Sequence, residues 1–111
     1  MRIISARFKN ESYNCDCNEE IESEKVNRET WECNECKEKI AIDIGSIRDE
    51  LVRLHPNEIS KYDYVFNRSE EEFCAVKDIL HYNGKYYICI EGYGKIKVEA
   101  YEFVDCMRNQ H

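Results

Sequence analysis

The sequence lacks any apolar stretch long enough to cross a bilayer, and its N-terminus, MRIISARFKN, lacks the apolar run of a signal peptide. We therefore expect a cytoplasmic protein without a membrane partner. Basic residues are also in the minority, since 23 acidic side chains outnumber 16 basic ones and give a formal net charge of -7. General binding of nucleic acid depends on clustered Lys and Arg. A partner protein with a basic surface is therefore the stronger expectation.

Signatures of catalysis are missing as well. The GYG stretch at residues 92–94 lies between two predicted strands rather than before a helix, so it does not make a phosphate-binding loop. No local Ser/His/Asp or Cys/His pattern pairs a nucleophile with a base. The three glutamates at residues 70–72 are expected to form a solvated loop in so acidic a chain. We expect that the protein is not an enzyme.

What the chain does contain is seven cysteines, an odd number that favours metal binding and free thiols over a disulfide framework. Four of them form a C-x-C pair and a C-x-x-C pair: Cys15, Cys17, Cys33 and Cys36. Two close pairs suit one tetrahedral zinc ion. Because four thiolates leave no position for an activated water, we expect the zinc to be structural.

The two pairs repeat their surroundings. Tyr13 and Trp31 each precede a first cysteine by two residues, and Ile21 and Ile40 each follow a last cysteine by four. The repetition is typical of two stacked knuckles around one site. Extended segments are predicted at residues 2–8, 13–17, 30–33 and 39–44, with a polar hairpin over 18–28.

The second half of the chain has the pattern of short antiparallel strands. We predict strands over residues 62–66, 73–82, 85–91, 95–100 and 101–107. Asn83-Gly84 predicts a two-residue hairpin turn that sets Ile79 opposite Ile88. Ser46 is expected to cap one short helix over residues 47–54, which Pro56 would stop.

Residues 13–44 resemble a zinc ribbon, a rubredoxin-like unit in which two knuckles hold one metal. Zinc ribbons usually have C-x-x-C in both knuckles and often glycine after the second cysteine, where this chain has Asn18 and Lys37. Residues 46–111 have the pattern of a small SH3-like barrel or a twisted antiparallel sheet. The expected fold is thus mainly β, with a zinc ribbon and its preceding strand at 1–45 and a helix-containing β unit at 46–111.

The remaining candidate residues are expected to be structural. Cys74, Cys89 and Cys106 are predicted to be packed thiols. A second metal site built from these cysteines with His81 or His111 is the less favoured alternative. His55 is interpreted as a surface or capping residue.

Two functions fit these features. The first is an acidic, zinc-stabilised protein-interaction module, which at the level of class resembles immunity and anti-defence proteins whose acidic surface covers a basic enzyme site. The alternative is a nucleic-acid-associated zinc-ribbon protein of the transcription or translation type. Its binding face would combine aromatic and basic side chains: Tyr86, Tyr87, Tyr93, Lys85, Lys95 and Lys97. The sequence does not specify an oligomeric state.

Overall fold

A computed structural model describes residues 1–108, and the fold is mainly β. Within these residues nine strands form one sheet in which every pairing is antiparallel, in the order β2-β1-β3-β4-β9-β5-β6-β7-β8. The strands are β1 Ser12–Cys15, β2 Asn18–Ile21, β3 Ala41–Asp43, β4 Leu51–Leu54, β5 Tyr64–Asn67, β6 Glu72–Tyr82, β7 Lys85–Ile90, β8 Gly94–Glu99 and β9 Val104–Met107.

The helix predicted over residues 47–54 is wrong. Only two short 3-10 turns, Ser23–Lys25 and Pro56–Glu58, interrupt the strands and loops of residues 1–108. Leu51 and Leu54 have helical spacing, but residues 51–54 instead form β4, which pairs with β3 and along its whole length with β9. A strand at the centre of a sheet buries both of its faces, and Leu51, Val52 and Arg53 are all buried.

The strand predicted over residues 2–8 is also largely absent. This segment makes a single bridge, between Ile4 and Val104. Side chains take over backbone groups that a neighbouring strand would otherwise satisfy: the carbonyl of Ala6 accepts from Arg53 and Arg68, and the N–H of Phe8 donates to Glu11 Oε1 at 2.9 Å. Alternation in the sequence therefore gives an extended segment without a ladder.

The long hairpin of the second half forms as predicted. Asn83 and Gly84 have φ values of 54° and 71°, as a tight hairpin turn requires, and Ile79 pairs with Ile88. Strand β6 changes partner along its length, because residues 72–75 pair with β5 and residues 76–82 pair with β7. An irregularity between Val76 and Asp78 marks the change.

Two clusters of buried side chains hold the sheet. One lies among β4 to β9 and contains Ile88, Val98 and Cys106. The other surrounds the cysteine pairs, and it also takes in Leu51 and Phe66 from the second half of the chain. The sheet itself continues across Gly45 through the pairing of Ile42 with Leu51. The division into folding units 1–45 and 46–111 stays a prediction.

Candidate metal centre

All four cysteines of the predicted site meet at one point. Their sulfur atoms all lie within 4.8 Å of one another. Cys15 ends β1, Cys17 lies in the turn between β1 and β2, and Cys33 and Cys36 lie in the loop before β3. The β1–β3 pairing, which sets Asn14 opposite Ala41, brings the two halves of the site together.

The spacing of the sulfurs suits a tetrahedral ion. With Zn–S bonds of about 2.3 Å, the sulfurs of a tetrahedral site lie about 3.8 Å apart. The distances here are 3.1 Å for Cys15–Cys17, 3.5 Å for Cys17–Cys33 and 3.8 Å for Cys36–Cys15. The C-x-C pair is the tightest and would open by less than an ångström. These four residues can hold a metal ion such as zinc.

Two backbone hydrogen bonds close the turn of the C-x-x-C knuckle. The N–H of Lys37 donates to the carbonyl of Cys33 at 2.9 Å, and the N–H of Cys33 donates to the carbonyl of Glu38 at 2.8 Å. Lys37 has a φ of 64°, the left-handed conformation that glycine adopts with less strain. The sequence departs from the usual glycine at this position, yet the backbone keeps the glycine-like turn.

The thiols have different proton affinities. Hydrogen bonds from the backbone N–H groups of Cys36 and Glu35 lower the pKa of Cys33 to about 6. Burial raises the pKa of Cys15, and the hydrogen bond with Cys15 is the main cause that raises the pKa of Cys17. One thiolate is therefore favoured at neutral pH, and a cation would draw the protons from its neighbours.

Aromatic and aliphatic side chains enclose the site on its inner side. Tyr13, Trp31 and Ile40 are buried, and the Tyr13 and Trp31 rings lie 6.1 Å apart. Cys15 and Cys33 are buried with them, whereas Cys17 is exposed. The repeated residues of the two knuckles therefore pack together beside the cysteines.

The other cysteines do not make a second centre within residues 1–108, where the four-cysteine group is the only cluster of three or more potential ligands. Cys74 and Cys106 are buried on either side of Val65, and burial raises the pKa of both thiols. Cys89 is partly exposed. His81 stacks on Tyr86 with ring centroids 4.0 Å apart, and His111 lies outside the described residues.

His55 has a structural role. It precedes the 3-10 turn Pro56–Glu58, its backbone N–H donates to Glu58 Oε1 at 2.9 Å, and its ring stacks on Phe103 with centroids 4.0 Å apart. These contacts agree with the capping role expected from the sequence.

A buried ion network that the sequence did not predict lies beside the four cysteines. Arg53 contacts Glu11 and Asp105, and Arg68 Nη1 lies 3.4 Å from Asp105 Oδ2. Burial alone would raise the pKa of Glu11, but hydrogen bonds, first from Arg53 and then from the N–H of Phe8, give a lowered pKa. The only indication of this network in the sequence is the arginine within the otherwise apolar run Leu51–Leu54.

Comparison with models of protein families, with curated proteins and with solved structures gives no match for this chain. No helix among residues 1–108 has the length and apolar character that crossing a membrane requires.

Proposed function

We propose that this protein is an acidic protein-interaction module stabilised by one structural zinc ion on Cys15, Cys17, Cys33 and Cys36. The zinc ion is supported by the close approach of the four sulfurs, which all lie within 4.8 Å of one another and would fill a tetrahedral coordination sphere. A site closed in this way contributes folding free energy rather than an activated water. The resemblance of residues 13–44 to a zinc ribbon agrees with this role.

The distribution of charge is the observation that carries the interaction role. Residues 11–38 contain ten acidic and three basic side chains, whereas the rest of the chain contains thirteen of each. The whole formal charge of -7 thus resides in the segment that holds the cysteines. Eight of the ten acidic residues are exposed: Asp16, Glu19, Glu20, Glu22, Glu24, Glu29, Glu35 and Glu38.

Zinc would strengthen this negative field. Four thiolates and one Zn²⁺ together carry two negative charges, which neutral thiols do not. A concentrated field of one sign attracts and orients a partner of the opposite sign. The proposed partner is a basic protein, and the more specific proposal is an inhibitor of the immunity or anti-defence type that covers a basic enzyme site.

The experiment is a charge reversal with a matched control. Glu19→Lys with Glu20→Lys changes the ribbon, and Glu70→Lys with Glu71→Lys makes the same charge change at an exposed loop outside it. In a pull-down from the source cell, the wild type and the loop variant should return the same stoichiometric basic protein, and the ribbon variant should lose it. Equal capture by all three proteins, or capture of no basic protein, would contradict the proposal.

The nucleic-acid alternative has one observation in its favour. The pairing of β7 with β8 sets Tyr87 beside Lys97 and Cys89 beside Lys95, on the face opposite the buried Ile88 and Val98. The Tyr87 ring also stacks on Tyr82 with centroids 4.7 Å apart.

Most members of the predicted nucleic-acid face, Lys97 included, already have a partner within the protein. Tyr86 stacks on His81 on the other side of the strand, the hydroxyl of Tyr93 donates to Glu72, and Lys85 and Lys97 both approach Glu99. A salt-dependent shift with RNA or DNA that Lys95→Glu with Lys97→Glu abolishes would favour the alternative.

A further inference from the structure

A cavity of about 310 Å³ lies between the N-terminal segment, the cysteine-bearing segment and residues 101–103. This volume falls at the lower end of the range for small-molecule sites. Three arginines line it, Arg7, Arg28 and Arg53, although the chain as a whole is acidic. The cavity is therefore a cationic concavity on an otherwise acidic protein.

Two of the three guanidinium groups are not neutralised. Arg53 is buried against Glu11 and Asp105. Arg28 donates at 2.7 Å to Ser23 Oγ, a neutral acceptor, and within residues 1–108 no carboxylate pairs with Arg28 or Arg7. Both are exposed. They provide two positive charges from two different segments of the chain.

One acidic residue in the lining offsets part of this charge, so that Arg7 and Arg28 with Glu102 leave a net positive charge. Glu102 also lines the cavity, but its Oε1 accepts the backbone N–H of Glu99 at 2.8 Å, a bond within its own loop. An incoming anion would meet two guanidinium groups that have no carboxylate partner in the described part of the chain, and the bond to Glu99 holds one oxygen of the Glu102 carboxylate within its own loop.

Aromatic side chains form the rest of the wall. Two guanidinium groups lie over the Trp31 ring, that of Arg53 at 4.3 Å and that of Arg28 at 5.3 Å from its centroid. The Phe103 ring packs edge-on against the Trp31 ring, with ring centroids 6.5 Å apart. Tyr101 is 78% exposed, so its ring is free to cover an apolar or aromatic group.

We propose that this cavity binds a small phosphate monoester with an aromatic body, the chemistry of a nucleoside monophosphate. Guanidinium groups match phosphate oxygens in planar, two-point hydrogen bonds. Two uncompensated arginines suit the double charge of a phosphate monoester better than the single charge of a carboxylate. The exposed ring of Tyr101 would cover the base. This site is independent of the proposed partner-binding role of the acidic surface.

The test is calorimetric titration of the full chain, as purified with its metal, with AMP, GMP, CMP and UMP. At least one of them should bind, adenosine or the matching nucleoside should not, and inorganic phosphate should bind more weakly. Benzoate tests the competing ligand, a carboxylate that has an aromatic body but only a single negative charge. Binding of benzoate more tightly than every nucleotide, or binding of none of the four, would overturn the proposal.

Variants separate the site from the rest of the surface. Arg7→Gln and Arg28→Gln should each weaken the best nucleotide at least tenfold, because each removes a charge-assisted hydrogen bond. Arg48→Gln, a change at an exposed arginine outside the cavity lining, should leave the affinity unchanged. Tyr101→Ala should weaken the nucleotide but not inorganic phosphate. Equal affinity in Arg7→Gln, Arg28→Gln and Arg48→Gln would overturn the assignment.

Discussion

Replacing Arg53 by methionine should be among the most damaging single changes in the chain. Its Nε donates to Asp105 Oδ1 at 3.2 Å, its terminal nitrogens donate to both carboxylate oxygens of Glu11, and its guanidinium lies over Trp31. The side chains of Arg53, Glu11 and Asp105 are each at most 1% exposed. Methionine keeps much of the volume but removes the charge that both carboxylates face.

The size of the expected loss of stability follows from the partners that Glu11 and Asp105 keep. Asp105 keeps Arg68 at 3.4 Å, whereas Glu11 keeps only the hydroxyl of Tyr13 and the N–H of Phe8. Removing one partner of a buried ion pair costs about 3 to 5 kcal/mol, because the other charge stays buried without compensation. A domain of this size has a total stability of about 5 to 15 kcal/mol. Arg53→Met should therefore remove a large share of it.

The assay is urea unfolding of the metal-loaded protein, followed by the fluorescence of Trp31 and by circular dichroism. Arg48→Met, at an exposed arginine, is the control and should shift the free energy of unfolding by less than about 0.5 kcal/mol. Adding Glu11→Leu to Arg53→Met should recover part of the loss, since the uncompensated carboxylate is gone. If Arg53→Met lowers the free energy of unfolding by less than about 1 kcal/mol, the buried carboxylates do not depend on Arg53 in the way proposed.

Three further predictions concern the metal centre. Cys33→Ser should unfold the cysteine-bearing segment and lower the melting temperature far more than Cys89→Ser, as thermal scans of both variants would show; equal shifts would contradict a metal role. Because the pKa of Cys33 is lowered to about 6 while those of Cys15 and Cys17 are raised, zinc binding at pH 7 should release at least two protons and should weaken as the pH falls. Calorimetry in two buffers of different ionisation enthalpy measures this release, and a pH-independent affinity would count against thiolate ligation. Lys37→Gly should keep or raise the stability, by up to about 1 kcal/mol, and Lys37→Val should lower it, because φ is 64° there; denaturant unfolding checks both, and the opposite order would be inconsistent with the left-handed turn.

The cluster of four cysteines and the hairpins could be predicted because their signals are local. Two close cysteine pairs specify a shared site wherever the segments between them fold back, and the four sulfurs do meet. Asn83-Gly84 specifies a turn from two residues alone, and the pairing of Ile79 with Ile88 follows from it.

The predictions from the sequence were wrong or incomplete where contacts between distant segments decide the structure. Residues 51–54 satisfy a helical pattern, but pairing with β9, more than fifty residues away, makes them a strand. The ion network also joins residues far apart, since Arg53 meets Glu11 on one side and Asp105 on the other. No local pattern specifies which charges meet in a core. A charged residue within an apolar run was the one signal that a buried partner exists.

Native mass spectrometry of the purified chain, with unfolding monitored before and after chelation, is the decisive test of whether four cysteines hold one structural zinc ion. We expect one zinc ion per chain, its loss in Cys33→Ser, and unfolding of at least the cysteine-bearing half when a chelator removes it. A metal-free protein whose unfolding is unchanged by chelator would contradict the account, and a chain carrying iron instead would contradict the identity of the ion.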